Sequence, residues 1–319
     1  LPSFSFDTGV ISGINFTKMN GILDDFRNAF SRKNNGLIQI ILINLIVFLA
    51  LIVLKVVLTL SGASYIYNVV LDQLALPSAL GSLIYKPWTL FTYFFTHEGI
   101  FHILFNMLFL YWFGKLIDEY LGNRRLINLY VLGGLAGGVL YIALYNLLPY
   151  FADRVAGSTL IGASGAVFAV VVGAATLMPN YTFHLLLLGP VRIKYIAAFY
   201  VVLSFAQSIG ANAGGEIAHL GGALLGFVFI RQLRSGNDMG RPLTAFAEWF
   251  NRLFRKKPVM RVTYQNKTKS GYGGYSSNNY GVPNQDEIDT ILDKISRSGY
   301  ESLSKEEKQK LFRASQRKE

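Results

Sequence analysis

Four polar residues in this sequence are of types that could carry out acyl transfer: Ser164, His219, His102 and Asn106. A serine hydroxyl attacks a carbonyl only when a base takes its proton, and imidazole is well suited to that task near neutral pH. Ser164 lies in Gly162-Ala163-Ser164-Gly165-Ala166, where small neighbours leave the hydroxyl open to a substrate. Small residues also let membrane helices pack closely, and on this stretch alone packing is the simpler explanation. His219 sits in Ala218-His219-Leu220-Gly221-Gly222, with Gly226 one turn after Gly222. Glycines spaced by four would let its helix approach the serine helix and bring imidazole to hydroxyl. A lone buried histidine ordinarily serves the core; opposite a serine in a glycine-rich seam it becomes a candidate base. His102 and Asn106 are four apart, so they project from one face of one helix. Both can donate hydrogen bonds to a developing oxyanion, each typically worth about 3 kcal/mol in a transition state. Their alternative role is a hydrogen bond between helices.

The elements that must position these residues are set by composition. The chain of 319 residues is 52% hydrophobic and only 15% charged, with a mean hydropathy of +0.35. Soluble domains carry about 25% charged residues, so a bilayer is the expected solvent. The net charge of +11 would suit nucleic acid if it formed a patch. Most of the excess instead falls in short loops and after the last apolar run, as in a membrane protein facing the cytoplasm, and no nucleic-acid partner is expected. There are no cysteines, which excludes disulfides and thiolate chemistry. No histidine and acid set has useful ligand spacing, so neither a metal nor a cofactor is expected. The first apolar run begins only near Leu37, so a cleavable signal peptide is not expected.

Apolar segments occupy roughly 37–60, 100–120, 126–148, 158–178, 191–209 and 214–233. Each is near the ~20 residues that cross ~30 Å of hydrocarbon. They predict an all-α, polytopic membrane protein built as a bundle of six transmembrane helices. Arg27, Arg32 and Lys33, then Lys115, Arg124 and Arg125, then Arg192 and Lys194, then Arg231, Arg234 and Arg241 fall on one side. The opposite loops hold only Lys86 and Arg154. This bias predicts that both termini are cytoplasmic. The second, fourth and sixth segments then all start at the outer face, which puts His102, Asn106, Ser164 and His219 at a similar shallow depth. That convergence favours shared chemistry over four separate structural roles.

The remaining polar residues have blander readings. His97 orders the loop ahead of the second segment, His184 lies on the cytoplasmic side, and Lys55 snorkels. The loop 61–99 is too aromatic for a plain linker, and Trp88, Phe91, Tyr93, Phe94 and Phe95 suit the membrane interface. Residues 1–36 form an N-terminal arm in which Ile22, Leu23, Phe26 and Phe30 give part of a helical stripe. The membrane domain is expected over 37–234. Over 235–265, Phe246, Trp249, Phe250, Leu253 and Phe254 interleave with or adjoin Arg252, Arg255, Lys256 and Lys257. That pattern predicts a basic amphipathic helix on an anionic inner leaflet. Residues 266–285 are a Gly/Ser/Asn/Tyr-rich linker. Residues 286–319 form a small helical module whose second helix opens with the capping box Ser304 and Glu307. A hairpin this small needs a partner, cytoplasmic or the membrane domain itself.

These motifs resemble a known family. Trp88-Thr89-Leu90-Phe91-Thr92, His97 and His102-Ile103-Leu104-Phe105-Asn106 are similar to the first loop and second helix of rhomboids. Gly162-Ala163-Ser164-Gly165 resembles their GxSG nucleophile motif, and Ala218-His219-Leu220-Gly221-Gly222 their AHxxG base motif. The resemblance covers roughly 37–233. It implies an intramembrane serine protease with a Ser164–His219 dyad and no third carboxylate. The oxyanion would be held by the Ser164 N–H, His102 and Asn106, with Gly162, Phe168, His97 and Trp88 in support. Its substrates would be transmembrane proteins cut near the outer face, and its location a bacterial inner membrane. Residues 286–319 resemble a helical module appended to some bacterial rhomboids. Two positions depart from the family pattern: Thr89 stands where many members have arginine, and Phe168 where many have a tyrosine that stacks on the base. The other readings are a silent rhomboid-like protein that binds membrane helices, and a small transporter. The first would be expected to lose Ser164 or His219. The second often shows repeated halves or ionisable residues at the midplane, and neither is evident. Deletion of 266–319 is expected to leave the catalytic core active, as measured by cleavage of a transmembrane substrate.

Overall fold

A computed structural model describes residues 35–185, 189–254 and 285–315. The predicted stripe at Ile22–Phe30, the basic residues Arg255, Lys256 and Lys257, and linker residues 266–284 lie outside these. The chain divides into two compact units, the first ending at Lys256 and the second running from Lys257.

The first unit opens with α1 (Gly36–Leu60), a helix of 25 residues. Leu37, Ile40, Asn44, Phe48 and Leu51 recur every three or four residues and form its buried face, while Leu49, Val53, Val56 and Val57 point outward. Those exposed apolar side chains are what a bilayer would cover. Asn44 is the polar member of the buried face. Its amide donates to the Ile40 carbonyl at 2.8 Å and to the Tyr130 hydroxyl at 3.0 Å.

The aromatic loop is itself folded. It contains α2 (Ser64–Leu74), strand β1 (Leu76–Pro77), α3 (Leu80–Tyr85), the single turn α4 (Thr89–Thr92) and a 3₁₀ turn over Tyr93–Phe95. Trp88 Nε1 donates to the Gln73 carbonyl at 2.9 Å and Thr92 Oγ1 to the Leu74 carbonyl at 2.9 Å. Thr89, at the position where an arginine is common among rhomboids, is buried and donates to the Lys86 carbonyl at 2.6 Å. The loop is therefore closed by local side-chain bonds to backbone rather than by an arginine.

The bundle continues through α5 (Ile100–Leu121), α6 (Asn123–Leu147), a 3₁₀ segment over Pro149–Arg154, strand β2 (Thr159–Leu160) and α7 (Ser164–Leu177). It closes with the hairpin β3 (Thr182–Leu185) and β4 (Gly189–Arg192), α8 (Ile193–Gln207), α9 (Ala213–Arg234) and α10 (Arg241–Phe254). All six apolar segments are helical, but only α1, α5, α6 and α9 are long and apolar enough to cross a bilayer. α7 has 14 residues and α8 has 15. The expectation of a helix from about 158 fails because residues 158–163 enter as a strand and a turn. β2 pairs antiparallel with β1, Leu160 opposite Leu76 and Thr159 opposite Pro77. Non-helical backbone at membrane depth is tolerated where protein supplies its hydrogen bonds. Here it does: Gly162 N–H donates to the Tyr93 carbonyl at 2.9 Å, and Ser78 N–H to the Ser158 carbonyl at 3.1 Å. α7 also need not match the full hydrocarbon thickness, since its neighbours bury it almost entirely, from Gly165 to Ala175.

α6, α7 and α9 pack most extensively against one another. Their contact surfaces are glycine and alanine, so backbones meet where side chains would normally stand. A methyl group at Gly222 would overlap the Gly165 carbonyl, and one at Gly226 the Ala169 carbonyl. One at Gly137 would lie 2.8 Å from the Ala218 carbonyl. α10 is tied back to the bundle by Asn128, whose amide donates to the Gly240 carbonyl at 3.1 Å and to Thr244 Oγ1 at 3.0 Å, and by the ion pair of Arg124 with Glu248 at 2.9 Å.

The second unit is a helical hairpin of α11 (Gln285–Ser298) and α12 (Lys305–Ser315). Ile291 and Leu303 are buried. The capping box forms in both directions, Glu307 N–H to Ser304 Oγ at 3.2 Å and Ser304 N–H to Glu307 Oε2 at 2.7 Å. Gly222→Ala is expected to destabilise the first unit by about 2 kcal/mol or more, because the backbones of α7 and α9 must separate to admit the methyl group. Thermal unfolding in detergent micelles would measure this, and an unchanged Tm would contradict the packing just described.

Candidate active site

The crossing of α7 and α9 brings Ser164 and His219 to one cavity of about 530 Å³. His102 and Asn106 from α5 line the same cavity, as do Phe168 from α7 and Tyr200 from α8. Ser164 is the first residue of α7. Its N–H therefore belongs to the first turn, where backbone donors lack intrahelical acceptors and can serve an oxyanion. Three elements far apart in sequence thus supply a nucleophile, a base and three candidate oxyanion donors to one space.

The His219 ring is fixed on two sides. It lies parallel to the Phe168 ring, with centroids 4.1 Å apart and planes 7° from parallel. The phenyl ring therefore stacks on the candidate base in the place where many rhomboids have tyrosine. His219 Nδ1 faces the Ser204 hydroxyl at 3.0 Å and Glu216 Oε2 at 3.1 Å. With Nδ1 engaged on that side, Nε2 is the nitrogen left for chemistry. Ser164 Oγ and His219 are not hydrogen-bonded to each other. In enzymes without substrate such contacts are often long and tighten in the reacting complex.

Gly162 sits with φ of +121°, a conformation that favours glycine. Any side chain here would collide with His102, since a methyl carbon would lie 2.7 Å from its Cε1. The same methyl carbon would be 3.8 Å from Ser164 Oγ, so Gly162 is what allows the His102 ring to stand beside the serine.

His97 is fully buried behind this group. Its Nε2 accepts the Ala163 N–H at 3.3 Å and lies 3.5 Å from Asn106 Nδ2. The ring meets His102 edge to face at 5.1 Å. His97 thus joins the loop, the residue preceding the serine, and both side-chain oxyanion candidates. Asn106 is further held by its bond to the His102 carbonyl at 2.9 Å. Burial, reinforced by neighbouring His102, lowers the His97 pKa from 6.5 to about 4. Trp88 is about half exposed and belongs to the loop, away from the cavity lining. His184 lies on β3 and lines a different cavity, together with Trp112, Phe183 and Phe199.

Motif spacing misses two neighbours of His219. Glu216 stands three residues earlier on the same helix face, and an acid in the first turn of an apolar helix is the signal that could have found it. Ser204 reaches the ring only through the packing of α8 on α9, which no local pattern encodes.

Comparison with known proteins agrees with this architecture. Residues 85–235 match the rhomboid domain, and residues 278–317 match a family of unknown function (DUF6576). The chain is 31% identical over 159 residues to RHOMBOID-like protein 12, mitochondrial, of Arabidopsis thaliana, covering 46% of this chain and 47% of that protein. It is 34% identical over 155 residues to RHOMBOID-like protein 1 of the same plant, covering 46% and 35%. Against rhomboid protease GlpG of Haemophilus influenzae it is 26% identical over 144 residues, covering 45% and 68%. The chain thus spans about half the length, or less, of the Arabidopsis relatives it matches. The chain carries a rhomboid-like domain over residues 85–235 and is an integral, multi-pass membrane protein.

The depressed His97 pKa has a consequence for stability. An unfolded chain binds the His97 proton below pH 6.5, whereas the folded one refuses it until about pH 4. Stability from this group is therefore complete above pH 6.5 and lost as pH falls towards 4, by about 3 kcal/mol at most. Unfolding followed from pH 7 to pH 4 should show this loss, and His97→Asn should remove it; an identical pH slope in the variant would refute the assignment.

Proposed function

We propose that this chain is an intramembrane serine endopeptidase that cuts transmembrane segments of other membrane proteins near the outer face. The observation that carries the reading is the single cavity shared by Ser164, His219, His102 and Asn106, with His219 Nδ1 occupied and Nε2 available. The name of the Haemophilus influenzae relative as a rhomboid protease supports the same reading.

In this mechanism Ser164 Oγ attacks a substrate carbonyl carbon while His219 Nε2 takes the hydroxyl proton. The carbonyl oxygen becomes an oxyanion, held by the Ser164 N–H, His102 and Asn106. Collapse breaks the C–N bond, and His219 returns the proton to the leaving amine. A water molecule then attacks the acyl ester as His219 takes its proton; the ester C–O bond breaks, the acid product leaves, and His219 returns the proton to Ser164 Oγ. The substrate must locally unwind first, because a helix engages its carbonyls in internal hydrogen bonds. The cavity walls suit an unwound apolar segment, with Phe101, Phe105, Phe109 and Val171 among them.

The lysine and arginine bias supports an orientation with both termini cytoplasmic, and the proposed location is a bacterial inner membrane. α10 presents exposed Phe246, Trp249, Phe250 and Leu253, with Arg252 in its last turn. It would lie on the anionic inner leaflet. The hairpin of α11 and α12 exposes Leu292 and Tyr300, and its role would be to engage a cytoplasmic partner.

The decisive experiment compares intact protein and Ser164→Ala on a model transmembrane substrate in liposomes. Cleavage by the intact protein should fall about a thousandfold or more in the variant. Equal cleavage would assign the activity to another nucleophile. No cleavage by either protein across several substrates would favour a silent role in binding membrane helices.

A further inference from the structure

We infer that Glu216 is a positioning residue for His219, so that the site works as a carboxylate–histidine–serine triad rather than as a bare dyad. The inference rests on the protease reading above for its catalytic part, and on geometry alone for its structural part. Glu216 Oε2 lies 3.1 Å from His219 Nδ1, and the two side chains are only 12% and 14% exposed. Ser204 is buried, its hydroxyl 3.0 Å from the same nitrogen. Ser204 and Asn212 also neighbour the Glu216 carboxylate, so polar donors surround it.

The chemistry follows from the hydrogen-bonding inventory. An ionised carboxylate can only accept. Its partner Nδ1 must then carry the proton, which leaves Nε2 unprotonated and able to receive the Ser164 proton. When that transfer occurs, the imidazolium charge forms beside an anion with both side chains largely buried, where the interaction is stronger than in bulk water. Glu216 stays ionised throughout and exchanges no proton. Around the ring the other described neighbours are His102 from α5, Ser164 and Phe168 from α7, and Tyr200 and Ser204 from α8. None of these carries a negative charge in its ordinary state, so Glu216 alone can perform this role.

The test combines nitrogen-15 NMR of the imidazoles with kinetics. The chain has four histidines, so His219 can be assigned by replacing them singly. In the unaltered protein, neutral His219 should show the Nδ1–H tautomer; a dominant Nε2–H tautomer would overturn the inference whether or not the protein cleaves anything. In cleavage assays Glu216→Gln should lower kcat about a hundredfold or more with KM little changed, the direction seen when a triad acid is made neutral. Glu216→Asp should recover most of that loss, because it keeps the charge. Equal kcat in Glu216→Gln and the unaltered protein would overturn the catalytic role. So would equal losses in the Gln and Asp variants accompanied by matching falls in Tm, which would mark Glu216 as purely structural. If cleavage is absent from the unaltered protein, the protease reading fails, while the tautomer measurement still decides what Glu216 does to the ring.

Discussion

Two backbones in van der Waals contact hold this site together. α7 and α9 approach so closely that the Gly165 carbonyl occupies the space a Gly222 side chain would need, and the Ala169 carbonyl that of Gly226. In a bilayer there is little hydrophobic force between helices, because lipid tails are as apolar as the side chains they would replace. Dispersion between closely fitted surfaces must supply the attraction, and small residues maximise it. For the proposed chemistry the consequence is geometric. Ser164 and His219 are carried one turn or less from this crossing, so the distance between the helices sets the distance between hydroxyl and imidazole. Looser packing would leave both residues present and the chemistry absent.

Polar groups buried around the crossing give it a single register. Asn44 on α1 donates to the Tyr130 hydroxyl on α6, and that hydroxyl donates to the Phe94 carbonyl at 3.0 Å. Tyr93 donates to the Gly134 carbonyl and accepts from Gly162 through its own carbonyl. His97 continues the chain to Ala163 and Asn106. Each member is a donor or acceptor that would be costly to leave unpaired in apolar surroundings. The loop between α1 and α5 is therefore a structural wall of the site, and its aromatic composition follows from that position.

Much of the architecture was legible in the residues because bilayers impose simple rules. Runs of about 20 apolar residues become helices, and Ser164, His219, His102 and Asn106 stand out as polar groups at matching depth. The places where sequence reasoning fell short share a cause. Residues 158–163 look apolar enough for helix, yet they pair with β1 and turn at Gly162, a long-range choice invisible to local hydropathy. Thr89 reads as a missing arginine until its bond to the Lys86 carbonyl is seen. Glu216 belongs to an apolar helix by composition, and only three-dimensional packing sets Ser204 beside it.

The shortness of α8 bears on the lipid as much as on the protein. α1 is roughly 37 Å long and α8 roughly 22 Å, at 1.5 Å per residue. Both turn apolar residues outward, among them Val53 and Val57 on α1 and Phe199, Val202 and Phe205 on α8. Tilting α8 only reduces the hydrocarbon thickness it can match, so lipid beside it would have to thin by several ångströms. In a bilayer the molecule would then have an uneven collar of lipid, full height along α1 and compressed along α8. Energy stored in that compression would make the protein sensitive to acyl-chain length on one flank alone.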